Sequence, residues 1–99
     1  MSRVGLGFDA HAFDASRRLV LGGVTIPDSP GLAGHSDADV LSHSIADALL
    51  GAAGLGDLGS NFPDDDRWRD ASSLLILEET ASRLSTGGWM IVNVDATVV

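Results

Sequence analysis

The chain has 99 residues and no cysteine, so it forms one small domain at most and holds neither a disulfide nor a thiolate metal site. Fourteen acidic residues, six arginines and no lysine give a net charge of −8, which excludes a basic nucleic-acid surface and attraction to an anionic membrane. The start carries no apolar signal segment, and no apolar run is long enough to span a bilayer. The sequence therefore predicts a soluble, cytoplasmic domain.

The first third of the chain predicts β-structure. Residues 3–13 (RVGLGFDAHAF) alternate between large apolar side chains on one face and small or polar ones on the other, which is the period of a strand. Residues 17–27 (RRLVLGGVTIP) predict two short strands around a Gly-Gly turn, closed by a proline. Residues 28–36 are rich in Pro, Gly and Ser and predict a loop.

Two helices are expected next. Ser36 is the predicted N-cap of the first helix, whose early acidic residues suit the helix dipole and which ends at Gly54. The second helix is predicted within residues 71–88, capped by Asp70 or Ser72 and closed by a glycine pair.

The segment between the two helices, residues 55–70, predicts a loop, and residues 89–99 predict a final apolar strand. The element order is then β-β-β-α-α-β. This order predicts an α+β two-layer sandwich, a mixed sheet with helices packed on one side. We expect residues 1–99 to be a single domain, cut short, because terminal residues are usually polar and this chain stops on an apolar strand.

Three residues form a candidate metal site. Asp9 and His11 leave the same face of the predicted first strand, and His43 lies in the second turn of the first helix. Two histidines and a carboxylate are a usual ligand set for a catalytic zinc ion with one open position. The alternatives are that the Asp-x-His spacing is accidental and that His43 is a hydrogen-bonded core residue. Asp39 or Asp47, one turn before and after, could hold its second ring nitrogen.

Two further groups of residues admit a binding role or a plain structural one. His35 and Ser36 lie at the start of the first helix, where free amides and the positive end of the dipole attract phosphate. The alternative is that Ser36 is only an N-cap. The acidic loop with Asp57 and residues 64–66 is either a solvated surface or a loop that recognises sugar hydroxyls or a cation.

From Arg3 to Val99 the chain closely resembles the 2-C-methyl-D-erythritol 2,4-cyclodiphosphate synthases, enzymes of the non-mevalonate isoprenoid pathway. The resemblance is carried, in order, by GFDAHAF, LVLGGVTIP, GLAGHSDADVLSHSIADALLGAAGLGDLG, FPD and NVDATVV. It implies a two-layer α+β domain that assembles as a homotrimer, with active sites at the subunit interfaces. It also implies lyase chemistry that cyclises 4-diphosphocytidyl-2-C-methyl-D-erythritol 2-phosphate and releases CMP.

The resemblance also implies residue roles and cofactors. Asp9, His11 and His43 occupy the family's zinc-ligand positions, and a Mg²⁺ or Mn²⁺ ion accompanies the diphosphate. His35 is the catalytic residue implied, because it helps to stabilise the transition state. The implied substrate-binding residues are Asp9, Ala10, His11, His35, Ser36, Asp57, Leu58, Gly59, Phe62, Pro63, Asp64, Asp65 and Asp66.

The chain departs from the family pattern in two ways. Residues 68–73 read WRDASS where the family commonly has WKGADS, and the loop before them is one residue shorter, which makes the contacts of Asp65 and Asp66 less defined. The family is also roughly half again as long, and its cytidine pocket, a Lys/Thr segment and a second cation carboxylate have no counterpart here. Two other functions stay open: a non-catalytic metal-binding or assembly module, and a simple zinc metallohydrolase.

Overall fold

The structure is a computed structural model that describes all of residues 1–99. Four short strands precede three helices, and the strands pair as two antiparallel two-stranded sheets, β1 with β4 and β2 with β3. The elements are β1 (Phe13–Asp14), β2 (Leu19–Leu21), β3 (Val24–Ile26), β4 (Gly31–Leu32), α1 (Val40–Ala52), α2 (Leu58–Asn61) and α3 (Ser73–Thr86). The predicted α+β class is confirmed. None of the helices has the length and apolar character that a membrane crossing requires.

The core lies between α1 and α3. Ala46 and Leu50, one turn apart on α1, are fully buried against Ile76 and Leu84 of α3. This spacing is that of a single apolar helix face. Burial of Leu50 alone contributes about 1.5–3 kcal/mol to folding. The core is extended by Trp68 and by other side chains of the segment between the helices, so this segment packs as part of the domain.

The predicted hairpin around the Gly-Gly pair is confirmed. Leu21 of β2 is opposite Val24 of β3, and only two residues, Gly22 and Gly23, connect them. Both glycines have positive φ, 61° and 78°, as a two-residue hairpin turn of the I′ type demands. The hairpin lies beside the start of α1, since a Cβ on Gly22 would be 3.3 Å from the Leu41 side chain.

The predicted start of the first helix was wrong by three residues. Asp39, not Ser36, is the N-cap of α1, and its side chain accepts a hydrogen bond from the Ser42 N–H. The Ser36 hydroxyl instead contacts the His43 ring at 3.2 Å. Ala38, directly before Asp39, has a positive φ of 56°, which lies outside the right-handed helical region, so the helix does not extend back to Ser36.

The segment between the long helices contains a short helix that the loop prediction missed. Asp57 caps α2 and forms a capping box with Ser60, in which each side chain accepts a hydrogen bond from the backbone N–H of the other residue. The next helix, α3, is capped by Ser72, one of the two predicted caps.

The structure differs from the prediction at both ends of the chain. Residues 3–12 and 89–99 belong to no strand, so the predicted mixed sheet does not form here, and two separate two-stranded sheets stand in its place. Alternation predicts an extended conformation, whereas a strand also needs a neighbour for its backbone hydrogen bonds. Val4, Leu6 and Phe8 remain 83–95% exposed as a result.

Candidate metal centre

The extended segment 3–11 is held directly against the backbone of α1. A Cβ on Gly5 would collide with the Ala48 carbonyl oxygen, and one on Gly7 with the Ser44 carbonyl oxygen. The helix backbone occupies the space that a side chain at either position would need. Only glycine permits this approach. The same face of the segment continues with Asp9 and His11, which are thereby brought to the helix that carries His43.

The three predicted metal ligands converge. His11 Nε2 lies 2.9 Å from Asp9 Oδ2, and His43 Nδ1 lies 3.4 Å from the same oxygen. One ligand atom from each residue lies within 4.8 Å of the others. A tetrahedral zinc ion with bonds of about 2.0–2.1 Å keeps its ligand atoms about 3.3 Å apart. The donor set and its spacing therefore fit a divalent metal ion, and the chain has a possible metal-binding triad.

Hydrogen bonds orient both histidine rings. The Ala33 carbonyl oxygen lies 2.7 Å from His11 Nδ1, and a carbonyl only accepts, so this nitrogen carries the proton. Nε2 of His11 faces the Asp9 carboxylate at 2.9 Å, on the side where a metal ion would bind. The second nitrogen of His43, Nε2, lies 3.2 Å from the Ser36 hydroxyl oxygen. Such outer partners set which nitrogen a metal-binding histidine offers.

The prediction that Asp39 or Asp47 holds the second nitrogen of His43 is wrong. The carboxylate nearest to that nitrogen is Asp37, with Oδ1 3.7 Å from Nε2. Asp47 accepts a hydrogen bond from the Leu58 N–H at 3.0 Å instead and so connects α1 to α2. Helix spacing correctly placed Asp47 one turn after His43 on α1. It could not show that the Asp47 side chain binds the backbone of α2 instead of the His43 ring.

Asp39 is a buried anchor between the hairpin and α1. Its carboxylate, with no exposed surface, accepts hydrogen bonds from the Gly22 and Gly23 N–H groups at 2.9 and 2.8 Å. It also accepts from the backbone N–H and the hydroxyl of Ser42. Burial by itself would raise the pKa of Asp39, but hydrogen bonding from Ser42, the Ser73 side chain and the turn glycines outweighs it and holds the pKa below its ordinary value.

His35 and Ser36, the predicted phosphate contacts, lie beside the triad. Ser36 is buried, and its hydroxyl reaches His43. The His35 ring is half-buried, and its Nε2 lies 2.7 Å from the Asp65 carbonyl oxygen. The structure thus brings the turn before α1, the triad and the acidic loop together.

A cavity of about 50 Å³ lies between these groups. Its polar side includes both triad histidines, His35 and Ser36, and its apolar side includes Phe62 and Trp68. Phe62 and Trp68 contact each other edge to face with ring centroids 4.7 Å apart. Trp68 was not among the predicted site residues. In the sequence, Trp68 differs from its neighbours only as an aromatic residue within an acidic loop, and this pattern does not by itself predict a site.

The remaining predicted binding residues take several positions. Leu58 lines the cavity with Phe62, whereas the side chain of Asp57 is used to cap α2. Hydrogen bonds from the Ser60 N–H and its hydroxyl group lower the pKa of Asp57. The exposed residues of this set are Ala10, Asp57, Gly59, Pro63, Asp64, Asp65 and Asp66. Asp66 forms an exposed ion pair with Arg69 at 2.8 Å.

Comparison with known proteins agrees with the resemblance. A 2-C-methyl-D-erythritol 2,4-cyclodiphosphate synthase from Syntrophomonas wolfei is 60% identical over 98 residues, which are 98% of this chain and 62% of that protein. The solved structure of a synthase of the same name matches with a TM-score of 0.80 and 44% identity, over 87% of this chain and 58% of the other. Its CDP-bound form matches with a TM-score of 0.79.

The chain spans 58–63% of the length of the curated relatives that it matches. The model of the YgbB family matches residues 2–99. A match over nearly the whole chain, together with this likeness in sequence and fold, confirms the resemblance: the chain belongs to the YgbB family.

Proposed function

We propose that this chain supplies the metal-binding part of a 2-C-methyl-D-erythritol 2,4-cyclodiphosphate synthase active site. The proposed reaction converts 4-diphosphocytidyl-2-C-methyl-D-erythritol 2-phosphate to the cyclodiphosphate and CMP. The observation that carries this proposal is the convergence of Asp9, His11 and His43 beside the turn with His35 and Ser36. The name shared by relatives at about 60% identity supports it.

The metal ion proposed for the triad is zinc, because two imidazoles and one carboxylate suit it and leave a fourth position open. Asp9, His11 and His43 would hold the ion beside the cavity. When bound, zinc supplies positive charge that polarises a phosphate oxygen. The chain's own contribution is the fixed orientation of the rings, through the Ala33 carbonyl and the Ser36 hydroxyl.

The phosphate groups are proposed to bind at the turn of residues 34–36, and not at the amides that begin α1. The negative side chain of Asp39 caps the first turn of that helix. In contrast, the backbone N–H groups of Gly34, His35 and Ser36 have no backbone acceptor within the chain. Three such N–H groups beside the His35 ring and the Ser36 hydroxyl provide donors for phosphate oxygens.

The reaction needs no external nucleophile. A 2-phosphate oxygen forms a bond to the β-phosphorus, and the bond from that phosphorus to the bridging oxygen breaks, so that CMP leaves with the oxygen. Both reacting groups are anionic, so positioning and charge neutralisation are expected to supply most of the rate enhancement. His35 would donate a hydrogen bond to the charge that develops on phosphate, as the catalytic residue of this part of the site.

Further parts of the proposal concern the rest of the ligand and the assembly. Residues 57–59 and 62–66, with Ala10, would bind the substrate, and a Mg²⁺ or Mn²⁺ ion would accompany its diphosphate. We also propose a cytoplasmic homotrimer with active sites at its interfaces. The exposed apolar side chains of Val4, Leu6 and Phe8 support an assembly, because a patch of this kind marks an interaction surface.

The test is a CMP-release assay with zinc and magnesium, run on the 99-residue chain and on a version extended to the length of its relatives. We expect turnover from the extended version only, since the resemblance assigns the cytidine pocket and the second cation carboxylate to a part that has no counterpart in these residues. An extended version that binds zinc without releasing CMP would refute the synthase and favour a non-catalytic metal-binding module. Equal turnover from both versions would refute the assignment of the cytidine pocket and the second cation carboxylate to a part without a counterpart in these residues.

A further inference from the structure

The side chain of Arg17 holds the turn that precedes α1. Arg17 lies two residues before β2, and its half-buried guanidinium donates from Nη1 to the Gly34 carbonyl and from Nη2 to the Ser36 carbonyl. These two carbonyls stand on either side of His35. Arg17 forms no ion pair, so its guanidinium is committed to this turn.

The turn that Arg17 holds contacts both histidines of the metal triad. The Ala33 carbonyl, directly before it, accepts from His11 Nδ1 at 2.7 Å. The Ser36 hydroxyl lies 3.2 Å from His43 Nε2. A shift of this turn would therefore alter the partner of His11 Nδ1 and the partner of His43 Nε2. These are the two ring nitrogens that do not face Asp9.

Few other bonds restrain the turn. The His35 carbonyl accepts from the Asp70 N–H at 3.2 Å, a contact with the loop before α3. Arg17 is the only residue whose side chain donates to the carbonyls of residues 34–36. Because a trans peptide points its N–H opposite to its C=O, the bond from Arg17 to the Gly34 carbonyl also directs the His35 N–H away from the hairpin.

We propose that Arg17 is a positioning residue for the metal centre, which fixes the turn of residues 34–36 and thereby the contacts that orient the His11 and His43 rings toward a metal ion. This inference rests on the proposed metal-binding function. A planar guanidinium spans two carbonyls with a fixed geometry, whereas a lysine ammonium is a single point charge on a flexible stem. Arg17→Lys is therefore expected to preserve the charge but to hold the turn less firmly than the wild-type arginine does.

The neighbouring residue provides a matched control. Arg18 is exposed and donates no side-chain hydrogen bond, so Arg18→Gln removes the same charge from the same segment without touching the turn. The variants to compare are Arg17→Gln, Arg17→Lys and Arg18→Gln. Circular dichroism checks that each one folds, and Arg17→Lys carries the test if Arg17→Gln does not fold.

Two measurements then separate the inference from the proposed function. Proton spectra of the metal-free chain report the positions of the His11 and His43 ring signals, which depend on the surroundings of each ring. A Co²⁺ titration followed by visible absorption reports affinity and coordination geometry. We expect Arg17→Gln to shift the ring signals of both histidines and to weaken Co²⁺ binding about 10–100-fold, the usual cost of losing an outer partner of a metal ligand. Arg18→Gln should match the wild type, with Arg17→Lys in between.

Wild-type ring signals and Co²⁺ affinity in Arg17→Gln would overturn the positioning role, and so would equal losses in Arg17→Gln and Arg18→Gln. If the wild-type chain fails to bind Co²⁺, the proposed metal function fails, and the metal-free spectra still decide the inference. Ring signals of His11 and His43 that shift only in the Arg17 variants would then support the role of Arg17 in the turn, and unchanged ring signals would overturn it.

Discussion

Gly7 lies so close to α1 that any side chain at this position would meet the Ser44 carbonyl oxygen. This contact holds the extended first segment against the helix although no strand pairs with it. Asp9, two residues further along, is placed within 3.4 Å of His43 as a consequence. The metal triad thus depends on a glycine that carries no chemistry of its own.

We predict that Gly7→Ala impairs the triad more than it impairs the fold. The added methyl group must push the segment away from the helix backbone, which is expected to destabilise the chain by about 1–3 kcal/mol. Displacement of Asp9 and His11 should lower zinc affinity at least about tenfold, since metal ligands need near-ideal spacing.

A zinc competition titration and urea unfolding check this prediction. Gly51→Ala is the matched control, because a Cβ on Gly51 meets nothing within 4 Å and alanine favours a helix by up to about 1 kcal/mol. Unchanged zinc affinity in Gly7→Ala would show that the close approach is not needed for the triad.

The second prediction concerns the metal content of the chain. His43→Ala should abolish stoichiometric zinc, because it removes one of three proposed ligands and leaves an incomplete site. Elemental analysis of the purified variant measures this directly, with His35→Ala as the control that keeps all three ligands. Zinc retained in His43→Ala at one ion per chain would remove His43 from the ligand set.

The third prediction separates the phosphate role from the metal role. In a version extended to the relatives' length, His35→Ala should reduce the rate of CMP release about 10²–10³-fold, as expected when a donor to developing charge is removed. Its zinc content should stay that of the wild type. Undiminished turnover would leave His35 as a residue that only contacts the Asp65 carbonyl.

The fourth prediction concerns Asp39 and pH. Its pKa is lower in the folded chain than its ordinary value, so the ionised carboxylate stabilises the fold above that value. This stabilisation is lost as the pH falls below about 4, through the lowered pKa. Asp39→Asn should cost about 1–3 kcal/mol at neutral pH, because the amide NH₂ that replaces one carboxylate oxygen cannot accept from the Gly23 N–H and the Ser42 hydroxyl.

Urea unfolding of wild type and Asp39→Asn between about pH 3 and pH 7 measures this difference, which should shrink toward the acid end. Asp95→Asn is the control, since Asp95 is exposed. A difference between wild type and Asp39→Asn that stays constant with pH would show that the stabilisation does not come from the ionised carboxylate.

Local patterns in the sequence determined the features that depend on neighbouring residues. The Gly-Gly turn and the cap of α3 follow from conformational preferences within a few residues, and both were predicted. The ligand types of the triad were also predictable, because two histidines and an aspartate are chemically distinctive in a chain without cysteine.

The tertiary structure alone decided which groups meet across the chain. The groups nearest to the second nitrogen of His43 are Ser36 and Asp37, and not Asp39 or Asp47. Both lie before α1, because the N-cap of this helix is Asp39, three residues after the predicted cap Ser36. In the same way, Arg17 reaches carbonyls 17 and 19 residues away. A hydrogen-bond partner is set by distance in space and by competition among all available donors and acceptors, and neither is contained in a local pattern of residue types.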